Sequence, residues 1–409
     1  MIIKRIKKAA KSLCILFVIA GNSVFALVNS LIICCRLVGS KRPIFVNVEG
    51  GFGHTLAAPT CLQSLIGEDF YLIFFYVKER HNYLTREAFD GRFLWCRVTF
   101  PGFPFFSLRV HQFLGVALVK VLSSLTVGAH DLRRFFEESS SESWMVESDY
   151  YDEYYSDPYR RVYMFRLALS DSEVVARGGS SFYLKKLENN PLGRLISTRR
   201  RICAIAHRAY EKSGDITKSV RNSRSLSELV GIVNYLTDTA GYHVILCGHV
   251  HGKELDLFAS NPFVTYPAKT NLCKDAYDFY AGMLFDVFIG PMSGALDYAR
   301  CRQVPTLILD SFPYGWSSPR ATLAFRDKKF SGNDELRKFF LKSYQDYTVS
   351  EVGFVPEAVA LSVVREFIEN VNNSDFGIDP LDLGIYDGPL VDGRCRIAPA
   401  WYKHCVQGN

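Results

Sequence analysis

Short apolar runs alternate with amphipathic segments along residues 201–309, and this alternation limits the possible folds more than any other feature of the sequence. Each apolar run has the length of a strand and ends at a glycine or a polar residue, whereas the segments between them have helical spacing. The predicted strands are Arg201–Ala206, Tyr242–Cys247, Phe263–Tyr266, Asp286–Ile289 and Thr306–Leu309. Strands separated by helices pair in parallel, so this half is predicted to be a doubly wound α/β domain.

Helix-terminal signals support the same interpretation. Ser225 and Glu228 have the spacing of a capping box, and Gly241 is placed to end the helix that they begin. The later helices are predicted near Lys253–Ala259, at Lys274–Leu284 and at Gly294–Arg302.

The first half of the chain repeats the rhythm. The predicted strands are Pro43–Val48, Tyr71–Val77 and Leu94–Thr99, with a helix at Thr55–Ile66. A chain of 409 residues is too long for one ordinary core. We therefore predict two Rossmann-like domains, at 41–198 and 199–375, with an irregular C-terminal tail at 376–409. Residues 139–158 are acidic and rich in tyrosine, which favours an exposed loop over a metal site at Asp149 and Asp152.

The N-terminal region combines basic charge with an apolar run. Residues 1–42 contain eight of the 48 lysines and arginines and none of the 42 acidic residues, so the rest of the chain is close to neutral. This distribution argues against a nucleic-acid surface and favours contact with anionic lipid. Leu13–Cys35 is almost wholly apolar, which predicts a membrane-anchoring helix at 1–40.

The anchor leaves two geometries open. Its polar residues, including Asn22, Asn29 and Arg36, fall on one helical stripe. Such a stripe suits a helix lying in the interface with its apolar face down, or a tilted spanning helix. On either interpretation, deletion of residues 1–40 is expected to leave a folded, soluble body. The eleven scattered cysteines, without any Cys-x-x-Cys pair, are typical of reduced thiols, which predicts a location on the cytoplasmic face.

Four predicted strands are followed by segments whose residues are suited to ligand binding or catalysis. Ligands of open parallel sheets bind beyond the carboxyl ends of the strands, and the segments there are Glu49–His54, His207-Arg208, Gly248–His251 and Gly290–Gly294. A helix that opens at Ser293-Gly294 presents free N–H groups to a phosphate. The alternative is an ordinary turn in which Ser293 only caps the helix.

The segment DFYAGMLFDVFIGPMSGALDYARCRQVPTLILDS, residues 278–311, resembles the donor-binding segment of GT-B glycosyltransferases. It is most similar to an uncharacterised bacterial family that is distantly related to heptosyl- and fucosyltransferases. Three further motifs match that family in order, and they are His207-Arg208, Arg221-Asn222 and Gly51-Phe-Gly53-His54. The resemblance covers roughly residues 42–325.

The resemblance implies a glycosyltransferase that moves a sugar from a nucleotide diphosphate donor to a glycan or lipid-linked acceptor in cell-surface polysaccharide synthesis. It implies neither a tightly bound cofactor nor a metal. His54 or Glu49 would be the catalytic base, on a loop in which Gly50, Gly51 and Gly53 leave room for the substrates. The donor would contact Arg208, Arg221, Asn222, Gly290, Ser293 and Gly294.

Two other functions stay open at this point. Gly248-His-Val-His251 resembles the last motif of metallophosphoesterases, but the Asp-x-His, Gly-Asp-x-x-Asp and Gly-Asn-His motifs of that class do not precede it. A membrane-tethered sugar-binding or scaffold protein with a decayed site is the other alternative.

Overall fold

The structure, a computed structural model, divides the chain into two compact units, Met1–Ser141 and Glu142–Asn409. It describes residues 2–47, 62, 70–76, 93–97, 108–125, 129–131, 190–196, 199–209, 222–250, 252–291, 293–301, 304–311, 321–341, 353–373, 376–383 and 396–407. The finer division at 40, 198 and 375 stays a prediction. Of the helix predicted at Thr55–Ile66, only residue 62 belongs to the described part.

The first unit contains a four-stranded parallel sheet. Its strands are β1 (Ile44–Asn47), β2 (Tyr71–Tyr76), β3 (Phe93–Arg97) and β4 (Ala129–Asp131), in the order β3-β2-β1-β4. The first three confirm the predicted strands to within two residues at each end. β1 and β2 are almost wholly apolar because both of their faces are buried, as is usual in parallel sheets.

Two long helices belong to this unit, α1 (Ile2–Leu37) and α2 (Leu108–Leu125). Both contribute to one apolar core with the sheet, in which the buried residues are Ala26, Ile33, Cys34, Leu37, Ile44, Val46, Ile73, Phe75, Cys96, Leu114, Leu118 and Leu122. The second half of α1 is therefore part of the folded unit rather than a detachable anchor. This packing argues against the expectation that residues 1–40 can be deleted without loss of folding.

The polar stripe of α1 also lies differently from the prediction where side chains are described, from residue 19 onward. Asn22 and Ser30 are 1% and 6% exposed, so they face the protein interior. Ser30 Oγ donates a hydrogen bond to Ala26 O at 2.7 Å and lies 3.6 Å from Cys96 Sγ. Short hydroxyl groups that return their hydrogen bond to the helix backbone fit a buried face.

The second unit contains a seven-stranded parallel sheet. Its strand order is β11-β10-β9-β8-β5-β6-β7, and its strands are β5 (Ile202–His207), β6 (His243–Gly248), β7 (Val264–Thr265), β8 (Val287–Gly290), β9 (Thr306–Ser311), β10 (Ala321–Phe325) and β11 (Arg396–Ile397). From β7 to β10 this is the doubly wound order 3-2-1-4-5-6, which reverses direction between β5 and β8. The predicted Rossmann-like fold class is confirmed.

The helices of the second unit are α3 (Pro191–Ile196), α4 (Val230–Asn234), α5 (Lys274–Leu284), α6 (Gly294–Cys301), α7 (Asn333–Leu341), α8 (Glu357–Glu369) and α9 (Pro399–Tyr402). Around α4, a 3₁₀ turn at Ser227–Leu229 and a π turn at Tyr235–Thr239 extend the helical segment. Short 3₁₀ turns occur at Lys253–Phe258, Pro267–Lys269 and Pro380–Leu383, and a π turn at Lys403–Gln407.

The predicted capping box and helix end are confirmed. Glu228 N–H donates to Ser225 Oγ at 3.3 Å, and Ser225 N–H donates to Glu228 Oε2 at 2.8 Å. Gly241 has a φ of +73°, the left-handed conformation that glycine adopts at helix ends. These contacts fix where the chain enters and leaves the crossover between β5 and β6.

The predicted irregular tail is wrong for residues 396–407. β11 pairs in parallel with β10, and α9 follows it directly. Trp401 in α9 is fully buried, with its ring centroid 5.2 Å from that of Phe325. This late segment therefore completes both the sheet and the core of the second unit.

Candidate functional site

The carboxyl ends of β5 and β8 lie side by side where the strand order of the second unit reverses. Ile205 pairs with Ile289, so Gly290 lies beside Ala206. A Cβ on Gly290 would lie 2.8 Å from Ala206 Cβ and 3.0 Å from Ala206 O, so only glycine fits there. Crevices at such reversals are the usual ligand sites of open α/β sheets.

The end of β5 is tied to the start of the described segment 222–250. Arg208 N–H donates to Ser223 Oγ at 2.9 Å, and Ser223 N–H donates back to Arg208 O at 2.8 Å. This reciprocal pair brings the predicted donor residues Arg208 and Asn222 together. Both residues are partly exposed at this edge.

The chain turns sharply at the end of β6, next to the end of β5. Gly248 has a φ of +91°, and a Cβ there would lie 2.4 Å from His207 O. His249 N–H donates to His207 O at 2.8 Å, and His207 Nδ1 donates to His249 O at 2.8 Å. Asp278 accepts a hydrogen bond from Gly248 N–H and one from Lys274 Nζ, while burial raises the pKa of its carboxyl group.

α6 begins directly after the β8 turn, as predicted. Ser293 O accepts a hydrogen bond from Leu296 N–H at 3.0 Å, which closes the first turn. The Ser293 hydroxyl oxygen is buried, and within the described part of the chain it has no hydrogen-bond partner. Ser293 therefore does not act there as a side-chain N-cap, and its hydroxyl group remains available to a ligand at the helix end. Asp297 also lies in this first turn.

A buried ionic cluster, formed by Arg224, Asp310 and Arg326, lies at the same edge of the sheet. Arg224 donates to Asp310 through Nε at 2.8 Å and through its terminal nitrogen at 2.7 Å. Arg326 donates to Asp310 O at 3.1 Å and to Asn222 O at 2.9 Å. Burial lowers the pKa of Arg326 to about 10. The cluster thus holds the Asn222 backbone against the ends of β9 and β10.

Sequence reasoning missed this cluster. Arg224 and Asp310 are 86 residues apart, and neither belongs to a recognisable motif. The one local signal was that a short acidic residue ends the apolar run of β9, since aspartate tolerates the positive φ of +57° that Asp310 adopts.

The predicted site residues fall into two groups. Arg208, Asn222, Gly290, Ser293 and Gly294 all lie at the carboxyl edge of the second sheet. The other predicted site residues lie outside the described part of the chain, and they are Arg221, Glu49, Gly50, Gly51, Gly53 and His54. β1 is the strand that precedes the glycine loop of the first unit, and it belongs to the described residues. It ends at Asn47, beside the point where the strand order β3-β2-β1-β4 reverses.

The histidine motif after β6 does not form a metal-ligand group with the described residues. His249 Nδ1 donates to Ala209 O at 2.8 Å, and His251 lies outside the described part. The group of metal-ligating side chains found within the described ranges is Asp327, His404 and Cys405. His404 Nε2 lies 3.1 Å from Asp327 Oδ1, and Lys329 Nζ lies 3.2 Å from His404 Nδ1.

No protein-family model matches the chain, and no curated protein matches it. Among solved structures, E. coli heptosyltransferase WaaC with ADP has 10% identity and a TM-score of 0.41, over 81% of this chain and 99% of that chain. The glycosyl transferase family 9 structure from Veillonella parvula DSM 2008 has the same identity and TM-score, over 75% and 94% of the two chains.

UDP-GlcNAc 2-epimerase from Neisseria meningitidis bound to UDP-GlcNAc is also similar, with 10% identity, a TM-score of 0.34 and coverage of 65% and 82%.

Proposed function

We propose that the chain is a glycosyltransferase that moves a sugar from a nucleotide diphosphate donor to a glycan or lipid-linked acceptor. The observation that carries the proposal is the β8–α6 turn. Gly290 permits close approach at the reversal of the sheet, and the buried Ser293 hydroxyl group has no partner among the described residues. A diphosphate would accept hydrogen bonds from this hydroxyl group and from the free N–H groups of α6, beginning at Gly294.

The leaving diphosphate needs positive charge as its bond to the sugar breaks. Arg208 follows β5 at the same edge, and Arg221 immediately precedes Asn222 in the sequence. Guanidinium groups there would bind the diphosphate oxygens and stabilise the charge that develops on them. We therefore assign the donor to the second unit, without a tightly bound cofactor or metal in the proposed mechanism.

The acceptor side is assigned to the first unit. In the proposed reaction an acceptor hydroxyl oxygen forms a bond to the anomeric carbon, and the bond from that carbon to the diphosphate oxygen breaks. The hydroxyl proton passes to His54 or Glu49, on the loop that follows β1. Gly50, Gly51 and Gly53 would let the substrates approach the backbone of this loop.

The proposed setting is the cytoplasmic face of a membrane, in the synthesis of a cell-surface polysaccharide. Basic residues at both ends of an apolar helix favour an anionic leaflet, and the cysteine pattern is typical of a reducing compartment. A lipid-linked acceptor would be presented at this surface, while the soluble nucleotide sugar reaches the second unit from the cytoplasm.

Three variants test the assignment, after a thermal-shift screen of nucleotide diphosphate sugars has identified a donor. A donor that binds only the folded state raises the melting temperature by mass action. We expect Gly294→Val to abolish the shift and Arg208→Ala to weaken both binding and turnover. His54→Ala should leave binding intact and lower turnover by about a hundredfold or more.

Arg201→Ala is the matched control, because Arg201 is exposed at the opposite end of β5 and should affect neither measurement. Full nucleotide affinity in Gly294→Val would refute the assigned phosphate site. Unchanged turnover in His54→Ala would shift the role of base to Glu49. Epimerisation of the donor sugar without an acceptor would refute the transferase assignment. If no nucleotide raises the melting temperature while Mn²⁺ or Zn²⁺ does, the phosphoesterase alternative is favoured instead.

A further inference from the structure

The exposed sides of α1 and α2, with Val38 directly after α1, carry nearly all the exposed large apolar side chains of the described residues. We name this surface the apolar ridge and define it by Val24, Leu27, Val28, Leu31, Ile32, Val38, Val121 and Leu125, which are between 42% and 63% exposed. Leu257, in the other unit, is the one further exposed side chain of this kind within the described ranges. The two helices pack in the same apolar core, and such a concentration of exposed apolar side chains marks an interaction site.

We propose that the apolar ridge lies in the headgroup boundary of an anionic bilayer leaflet, with α1 along the membrane plane. This proposal rests on the membrane association proposed above and makes it specific. It names the embedded face and replaces the spanning geometry with an interfacial one.

A surface helix of a water-soluble protein exposes polar side chains and buries apolar ones, whereas the exposed stripe of α1 is apolar. Its exposed positions 24, 27, 28, 31 and 32 recur at helical spacing and are all apolar. Its buried face, in contrast, includes Asn22 and Ser30. Arg36, at the end of α1, is the exposed charged residue of its described side chains. A helix that exposes an apolar stripe and buries two polar side chains is adapted to an apolar medium on the outer side.

A membrane-crossing geometry conflicts with the packing of the same helix. Residues 19–37 have the length and hydropathy to cross a bilayer. However, Ala26, Ile33 and Leu37 are buried in the core that α1 shares with the first sheet. If these residues crossed the bilayer, the polar sheet edges packed beside them would have to enter the hydrocarbon, where unsatisfied backbone groups are excluded. A helix lying in the interface buries only its outer face.

Charge selects lipid over a second copy of this chain as the occupant of the ridge. Six of its eight residues lie within residues 1–42, which contain eight basic and no acidic residues, and the exposed Lys120 directly precedes Val121 in α2. Two copies facing each other through this surface would bring like charges together. An anionic leaflet supplies both an apolar boundary for the ridge and opposite charge for its basic flanks.

The test is flotation of the full chain with two kinds of vesicle. One is made of phosphatidylcholine alone, and the other also contains about 30% of the anionic lipid phosphatidylglycerol. We expect the wild-type chain to float with the anionic vesicles. The double variant Leu27→Glu/Leu31→Glu should reduce binding by at least about tenfold, because it places two carboxylates in the apolar ridge. Leu257→Glu is the matched control and should bind like the wild type.

A second variant separates an embedded ridge from a folding defect and from a spanning helix. Leu31→Trp adds an indole to the ridge, and Leu257→Trp provides the background signal. We expect the Leu31→Trp fluorescence to be quenched more by lipids brominated near the headgroup than by lipids brominated near the chain end. Stronger quenching from the chain end would overturn the interfacial geometry.

The remaining outcomes also decide the question. Wild-type flotation by Leu27→Glu/Leu31→Glu would refute the ridge as the lipid contact. If this variant instead dissociates a wild-type dimer without losing lipid binding, the ridge is an interface between copies and the proposal fails. The thermal shift with a nucleotide sugar, measured without vesicles, should be unchanged in the double variant. That readout distinguishes failure of the ridge from failure of the proposed transferase activity.

Discussion

Substitution of Asp310 by asparagine should destabilise the second unit through the buried ionic cluster. Asparagine preserves the size of the side chain and tolerates the φ of +57° found at this position. It removes the negative charge and replaces one of the two acceptor oxygens with an NH2 group. The Arg224 and Asp310 side chains are 1% and 3% exposed, so solvent contributes little screening to their contact.

The magnitude follows from the geometry of the pair. Arg224 donates two hydrogen bonds to the Asp310 carboxylate and one to Val355 O, at 3.2 Å. Asparagine retains one acceptor oxygen, so one of the two bonds and the whole charge attraction are lost. Removal of one partner of a buried pair costs about 3–5 kcal/mol, and the retained oxygen favours the lower end of that range. We therefore expect a loss of about 3 kcal/mol in the free energy of unfolding.

The assay is urea unfolding of Asp310→Asn, Arg224→Leu and the double variant, with Asp256→Asn as an exposed control. The two single changes should not add, because either one disrupts the same contact. We expect the double variant to be nearer in stability to one single variant than to their sum. A loss below about 1 kcal/mol in Asp310→Asn, or additive losses, would refute the idea that the pair stabilises this edge.

Three further predictions concern other parts of the chain. Burial lowers the pKa of His243 to about 4. Because the unfolded state then binds more protons, the free energy of unfolding should fall by up to about 3 kcal/mol between about pH 6.5 and pH 4, and His243→Gln should flatten this part of the wild-type curve. Gly248→Ala should lower the urea midpoint more than Gly252→Ala. Both glycines have positive φ, but only at Gly248 would the new Cβ meet a backbone oxygen, at 2.4 Å; equal losses would contradict this. Deletion of residues 2–37 should yield an aggregating first unit, measured by light scattering, because it uncovers the core that includes Ile73 and Phe75; a monodisperse, folded product would show that α1 is dispensable.

Local patterns predicted the elements whose signals lie within one segment. The helix predicted at Lys274–Leu284 has those bounds in the structure, and the capping box at Ser225 forms as expected. In both cases the determining contacts join residues a few positions apart. The carboxyl-edge location of Gly290 and Ser293 was also predictable, because alternation of strands and helices implies a parallel sheet.

Features set by distant partners were not predictable in the same way. The orientation of α1 depends on the sheet behind it, and a helical stripe in the sequence does not show which side a sheet will cover. The Arg224–Asp310 pair joins residues 86 positions apart. β11 is only two residues long, and its place beside β10 is determined by packing around Trp401 rather than by its own propensity.

The position of β11 also affects how the second unit is made. It comes later in the chain than every other strand of its sheet, yet it pairs along the β10 edge, and α9 then inserts Trp401 into the core. While the ribosome is still adding these residues, the β10 edge is unpaired and the space around Phe325 is unfilled. An unpaired strand edge beside an open apolar core is a site of misassociation between nascent chains. Synthesis of the segment that carries β11 and α9, rather than synthesis of the strands at the centre of the sheet, is thus the step that protects this edge and core from aggregation.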